Sequence, residues 1–389
     1  MRIFHCDHCG QAIFFENTFC GKCGHKLAYL PDLQVVASLD PASGRSSEVG
    51  GPLPTLWTSP IPRAKGKSYR LCNNYTQYNV CNWAIPADDP ATLCQSCQLT
   101  HVIPDLSSSI NNELWCRLEI AKRRLVYSLL EFKLPIAPKT QGNPMGLEFR
   151  FLGDPPGGPR VLTGHDNGVI TVNIAEADDV QREKMRVSMH EPYRTLLGHF
   201  RHEIGHYYWD LLIRDSKDLG GFRERFGDEQ VDYNTSLQAY YRNGPKPDWQ
   251  QHYVSAYASV HPWEDWAETW AHYLHMSDAL ETAAVCGLSL KPQRSDEPAM
   301  ERPPLQQSAD IPFSELIDDW FALTYILNNL NRGMGLPDAY PFVLPAPTIE
   351  KIRFIHNIVC KSDTTKSPPP KNPAPSAPTP RNPPPPNKP

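Results

Sequence analysis

Two histidines four residues apart, the first followed at once by a glutamate, form the most chemically suggestive pattern in the chain: His202-Glu203-Ile204-Gly205-His206. Four residues turn an α-helix by about 400°, so on a helix both imidazoles stand about 40° apart on one face and can share one cation. Glu203 then lies beside whatever else that cation holds. A catalytic zinc takes three protein ligands and leaves a position for water, so another ligand must come from elsewhere. The segment HPWEDWAETWAHYLH, residues 261–275, offers it. Glu264 and Glu268, at i and i+4, stack two carboxylates on one helical face, where they repel unless a cation or a histidine neutralises them. Glu264 is assigned as the third ligand and Glu268 as the carboxylate that orients a ligand histidine, with the reverse order left open. His261, Asp265 and His272 are weaker candidates. Asp210, one turn beyond His206, either accepts the spare imidazole proton or faces solvent. His199 is read as a neighbour of the ligands.

Eleven cysteines add a second kind of site. Cys6-x2-Cys9 and Cys20-x2-Cys23 are two knuckles flanking ten residues, a spacing that gathers four thiolates around one structural zinc. About 25 residues cannot fold on apolar burial alone, so the ion carries much of that module's stability. Cys72, Cys81, Cys94 and Cys97 contain only one CxxC pair and are assigned to a second structural zinc; the alternative is four small buried apolar side chains. Cys116, Cys286 and Cys360 are read as small buried apolar side chains.

Elements that must hold these groups follow from periodicity. Leu114, Leu118, Leu125 and Leu129 predict an amphipathic helix from Asn111 to Lys133. Asn167-Gly168 between β-branched runs predicts a hairpin, with Val169–Ile174 as a strand whose free edge could hold an extended peptide. A helix starting at Pro192 carries the histidines, with Leu196, Leu197, Phe200, Ile204, Leu211 and Leu212 on one side. Gly205 inside it costs about 1 kcal/mol relative to alanine, which close approach of the preceding strand would explain. Trp263, Trp266 and Trp270 give the later helix an aromatic core face.

Thirty-eight basic and 43 acidic side chains leave a net charge of −5, and the first hundred residues carry +1, so nucleic acid is disfavoured as a partner. No apolar run approaches a membrane span, and the start lacks a secretory pattern, which places the expected protein in the cytoplasm. Twelve of the last 23 residues are proline, predicting a disordered or polyproline II tail. The expected organisation is a zinc ribbon (1–30), a linker or extended chain packed on its neighbours (31–62), a second four-cysteine module (63–104), a metal-binding domain (105–362) and the proline-rich tail (363–389).

Glu264-Asp-Trp-Ala-Glu268 resembles the ExFAE-type helix of HExxH peptidases related to the catalytic domain of anthrax lethal factor and to proline-proline endopeptidases. The order of cysteine ribbon, second cysteine group, HEIGHYYWD and EDWAETWAHYLH is similar, over about residues 1 to 360, to a bacterial family of zinc-binding metallopeptidases with an N-terminal zinc ribbon. That resemblance implies an α+β chain: small β zinc modules followed by a mostly helical, zincin-like domain with a small sheet. It also implies a gluzincin-type endopeptidase acting on a peptide or protein, with His202, His206 and Glu264 on one catalytic zinc. Glu203 is the expected general base, and Tyr257, seven residues before Glu264, donates to the oxyanion; Tyr253 is the fallback. The competing reading is a binding or regulatory scaffold whose ribbons, or proline-rich tail, engage a protein partner while the HExxH domain is inactive.

Overall fold

The cysteine-rich first hundred residues fold as β-structure, because two short knuckle turns interrupt apolar segments too brief for helices. A computed structural model describes residues 1–42, 55–155, 157–188, 194–292, 301–303, 305 and 311–362. Strands β1 (Phe4–His5) and β2 (Ala12–Ile13) pair antiparallel around the first knuckle. After the second, β3 (Lys26–Leu30), β4 (Val35–Pro41), β5 (Trp57–Thr58), β6 (Tyr69–Leu71) and β7 (Ala84–Pro86) form one five-stranded sheet in that order, with the short helix α1 (Asn73–Thr76) after Cys72. The expected linker therefore contributes an inner strand. Val36 and Ala37 are fully buried, and the run Val35 to Leu39 outweighs the Pro, Ser and Gly that follow it. Residues 43–54 of that stretch lie outside the described residues. One sheet thus joins the two cysteine groups, and Tyr75 secures them by donating to the carbonyls of Thr18 and Leu27.

β8 (Thr100–Val102) leaves this unit and pairs parallel with β9 (Glu148–Leu152), so the second sheet starts before the expected boundary at 105. Between them runs α2 (Ser109–Glu131), close to the predicted helix, with Leu118, Leu125 and Leu129 buried. Its other face buries charge. Glu119 accepts from Thr100 at 2.8 Å, Trp115 at 3.3 Å and Lys122 at 3.0 Å, while Arg123 donates to the Val80 carbonyl beside the second cysteine group. α2 therefore clamps the cysteine-rich sheet to the second one.

The predicted hairpin is present: β10 (Gly164–Asp166) and β11 (Val169–Asn173) are joined by Asn167 at φ 47° and Gly168 at φ 84°. The expectation of a free edge on Val169–Ile174 is corrected, because the sheet order is β10-β11-β9-β8. The turn that identifies β11 also folds β10 onto its outer side, and β9 covers the other. The edge strands of this sheet are β10 and β8.

Helices complete the domain: α3 (Asp179–Ser188), α4 (Leu196–Leu212), α5 (Leu219–Phe226), α6 (Tyr233–Asn243), α7 (Trp249–His252), α8 (Pro262–Val285), α9 (Phe313–Gly333) and α10 (Ala346–Ser362). α4 starts at Leu196, where the Thr195 hydroxyl accepts from the Gly198 N–H at 3.0 Å; Pro192 and the tail lie outside the described residues. None of the described helices is long and apolar enough to cross a membrane. α4 packs on the sheet through Phe200, whose ring lies 5.7 Å from Phe149 and 6.1 Å from Phe151.

Gly205 is explained by α8, not by a strand. A Cβ there would meet the Ala267 Cα at 3.0 Å and the Trp270 Cβ at 3.1 Å, and the Trp266 indole donates to the Gly205 carbonyl at 2.9 Å. Gly205→Ala is expected to destabilise the protein by about 1–3 kcal/mol in urea denaturation despite alanine's better helix propensity, because α8 backbone occupies the space. An unchanged or raised midpoint would show that the helices can separate freely.

Candidate metal centre

Each cysteine group converges. Cys6, Cys9, Cys20 and Cys23 gather in one cluster, and Cys72, Cys81, Cys94 and Cys97 in another, fully buried one. Sulfur–sulfur distances are 3.6 Å for Cys6–Cys23 and Cys9–Cys20 and 3.7 Å for Cys81–Cys94, and all cysteines are unbridged. The three scattered cysteines are not the buried side chains expected: Cys286 is exposed, and Cys116 and Cys360 are half-buried near the surfaces of their helices. Four sulfurs at Zn–S distances of about 2.3 Å stand about 3.8 Å apart in a tetrahedron. The spacing is that of ligands around an ion rather than of disulfides at about 2.05 Å.

α4 and α8 bring the third group together. His202 Nε2 lies 3.1 Å from His206 Nε2 and 3.0 Å from Glu264 Oε2, and His206 Nε2 lies 3.5 Å from the same oxygen. Ligands on a tetrahedral zinc at about 2.0–2.1 Å are separated by about 3.3 Å, so the triangle has the right size. Its chemistry fits as well. Glu264 Oε2 is buried without a hydrogen-bond partner among the described residues, a costly state for a carboxylate unless a cation faces it. Burial alone would raise the Glu264 carboxyl, yet the imidazoles of His206 and His202 hold it well below its ordinary range. Burial opposes charge on His202 too, but Glu264 and Glu268 draw its imidazole well above the usual value. The cluster calls for positive charge, which a divalent cation supplies while leaving the imidazoles neutral.

The surroundings orient these groups. Glu268 Oε1 lies 2.7 Å from His202 Nδ1, and the Ser255 hydroxyl donates to Glu268 Oε2 at 2.6 Å, so Glu264 faces the triangle and Glu268 stands behind it. Against burial, the His202 contact lowers the Glu268 carboxyl to about 2. Asp210 does not take the expected place: it accepts from Arg214, one helical turn on, and His206 Nδ1 has no hydrogen-bond partner among the described residues. The nearer arginine wins the carboxylate. Trp263 is only half-buried and turns from the expected core face to lie on His206, with ring centroids 3.6 Å apart; Trp266 and Trp270 are fully buried. His199 pairs with Glu176 at 3.2 Å.

Glu203 is buried and makes no hydrogen bond or ion pair among the described residues; burial, then the nearby carboxylates against the His202 charge, sets its carboxyl at about 7. Tyr257 sits in the 3-10 turn Tyr257–Ser259 that precedes α8, its ring 6.0 Å from His202. Tyr253 is elsewhere, its hydroxyl accepting from Lys246 at 2.7 Å. Two contributors have no signal in the sequence: Ser255, and Tyr233 on α6, whose hydroxyl donates to Glu264 Oε1 at 2.7 Å. Neither belongs to a motif, and each lies in a segment whose path only tertiary packing sets.

A family model described as "Putative zinc-binding metallo-peptidase" matches residues 111–358, and a zinc-ribbon domain model matches residues 3–108. Proteins of Mycobacterium bovis and of two strains of Mycobacterium tuberculosis, each described as uncharacterized, are 46% identical over 361 residues, covering 92% of this chain and 95% of theirs. No solved structure matches the chain.

Proposed function

Because the chain belongs to this zinc-binding metallopeptidase family and joins its domain to an N-terminal zinc-ribbon domain, we propose that it is a zinc-dependent endopeptidase of gluzincin type. The observation that carries the proposal is the convergence of His202, His206 and Glu264 on one point beside an unpartnered Glu203. Zinc held there supplies Lewis acidity toward a carbonyl oxygen and acidifies water. Glu203 takes the proton of the attacking water on its carboxylate and returns it to the departing amide nitrogen. Tyr257 donates its hydroxyl proton as a hydrogen bond to the oxygen on which negative charge develops.

β10 supports peptide over other acyl substrates. It is an edge strand of the sheet, and its His165 ring lies 6.3 Å from His206, so an extended chain paired along it passes the ligands. The two cysteine clusters are proposed to hold one structural zinc each, giving three ions per chain with the catalytic one.

A degenerate peptide library read by mass spectrometry tests the activity. Wild type is expected to cleave within peptides and to stop with 1,10-phenanthroline. Tyr257→Phe should lose about 10²–10³ in kcat with its metal content unchanged. Absence of any cleavage by the zinc-loaded wild type would return the protein to the scaffold reading.

A further inference from the structure

The third ligand is held by a residue that no motif contains. Glu264 has two carboxylate oxygens, and only Oε2 faces the imidazoles. Oε1 accepts the Tyr233 hydroxyl at 2.7 Å. A carboxylate on a single side-chain axis can rotate, and a donor fixed on one oxygen determines where the other points. Tyr233 is itself fixed by rings, standing edge-on to His261 at 5.4 Å and to Trp263 at 6.1 Å. These are the residues that open α8 just before Glu264: the His261 side chain caps the helix by accepting from the Trp263 N–H at 3.1 Å. Tyr233 therefore grips both the ligand and the start of the helix that carries it.

Docking α6 is a poor explanation for this arrangement. No residue of α6 is buried, and the helix carries its own N-cap, the Asp232 side chain accepting from the Thr235 N–H.

We propose that Tyr233 is a positioning residue of the catalytic centre, its hydroxyl locking the Glu264 carboxylate so that Oε2 is presented to the metal with the two imidazoles. The assignment rests on the three-ligand reading of the site, and the two can fail separately. The test is Zn²⁺ affinity of the full chain at its weakest site, measured by competition with a chromophoric chelator for wild type, Tyr233→Phe and Glu264→Ala. Tyr233→Phe is expected to weaken that site 10–100-fold, leave the two cysteine-bound ions in place and keep the melting temperature of wild type. Its loss of peptide cleavage at limiting zinc should largely recover when zinc is raised to saturation, which removal of a group acting on substrate would not allow. Unchanged affinity in Tyr233→Phe, with Glu264→Ala lacking the third ion, would overturn the role of Tyr233 alone. A third ion bound equally by all three proteins would overturn the ligand assignment and the role of Tyr233 with it.

Discussion

Glu203→Gln is expected to lower peptide hydrolysis by about 10²–10⁴-fold while leaving the three proposed zinc ions and the melting temperature unchanged. The magnitude is that of removing a general base. Glutamine has nearly the same shape but accepts no proton, and Glu203 makes no hydrogen bond or ion pair among the described residues that the change would break. It also stands outside the ligand triangle, which His202, His206 and Glu264 complete. Removing an unpartnered buried carboxyl should, if anything, stabilise the fold slightly. The measurement is kcat/KM on a peptide taken from the library screen, with zinc content by atomic absorption on the same preparation. Equal rates for both proteins would place the proton transfer elsewhere.

Cys94→Ser is expected to cost the protein one zinc and to unfold far more than its own module. All four cysteines of the second cluster are buried, and burial and then the neighbouring sulfurs hold the Cys94 thiol well above its ordinary range. The site thus favours thiols until an ion draws off their protons. Structural zinc contributes about 10–16 kcal/mol of apparent folding free energy, comparable to or larger than the 5–15 kcal/mol by which a whole domain is stable. Loss of the ion also removes the thiolate charge beside buried Arg123 on α2, leaving Glu119, 3.9 Å away, as its negative neighbour. α2 packs against α4, which carries His202 and His206, so the damage should spread to the second sheet. A thermal melt of the variant should lose its main cooperative transition or shift it down strongly, with zinc reduced by one equivalent. A wild type holding only two ions, with a variant that matches it in zinc content and melt, would make this cluster a set of ordinary buried cysteines.

Much of the site was legible because its ligands are local or paired by helical spacing. His202 and His206 need only a helix to meet, and Glu264 and Glu268 need only another; the opposite roles of the two glutamates follow once α8 lies against α4. Asp210 failed for a local reason that was also available, since Arg214 is its i+4 neighbour. Gly205 marked a close approach correctly, but the partner was a helix 60 residues later rather than the strand before it. The inner strand Val35–Pro41 was obscured by its Pro- and Ser-rich surroundings.

Spacing along the chain by itself determined which groups could share an ion, because a knuckle or a helical turn sets the direction of two side chains within a few residues. Tertiary structure alone decided what surrounds them: Ser255 behind Glu268, Tyr233 on Glu264, Trp263 over His206, and β10 as the edge strand beside His206. The physical reason is range. Backbone geometry couples residues across a turn or two, whereas contacts between α4, α6, α8 and the sheet depend on how buried faces pack, and no local periodicity records that.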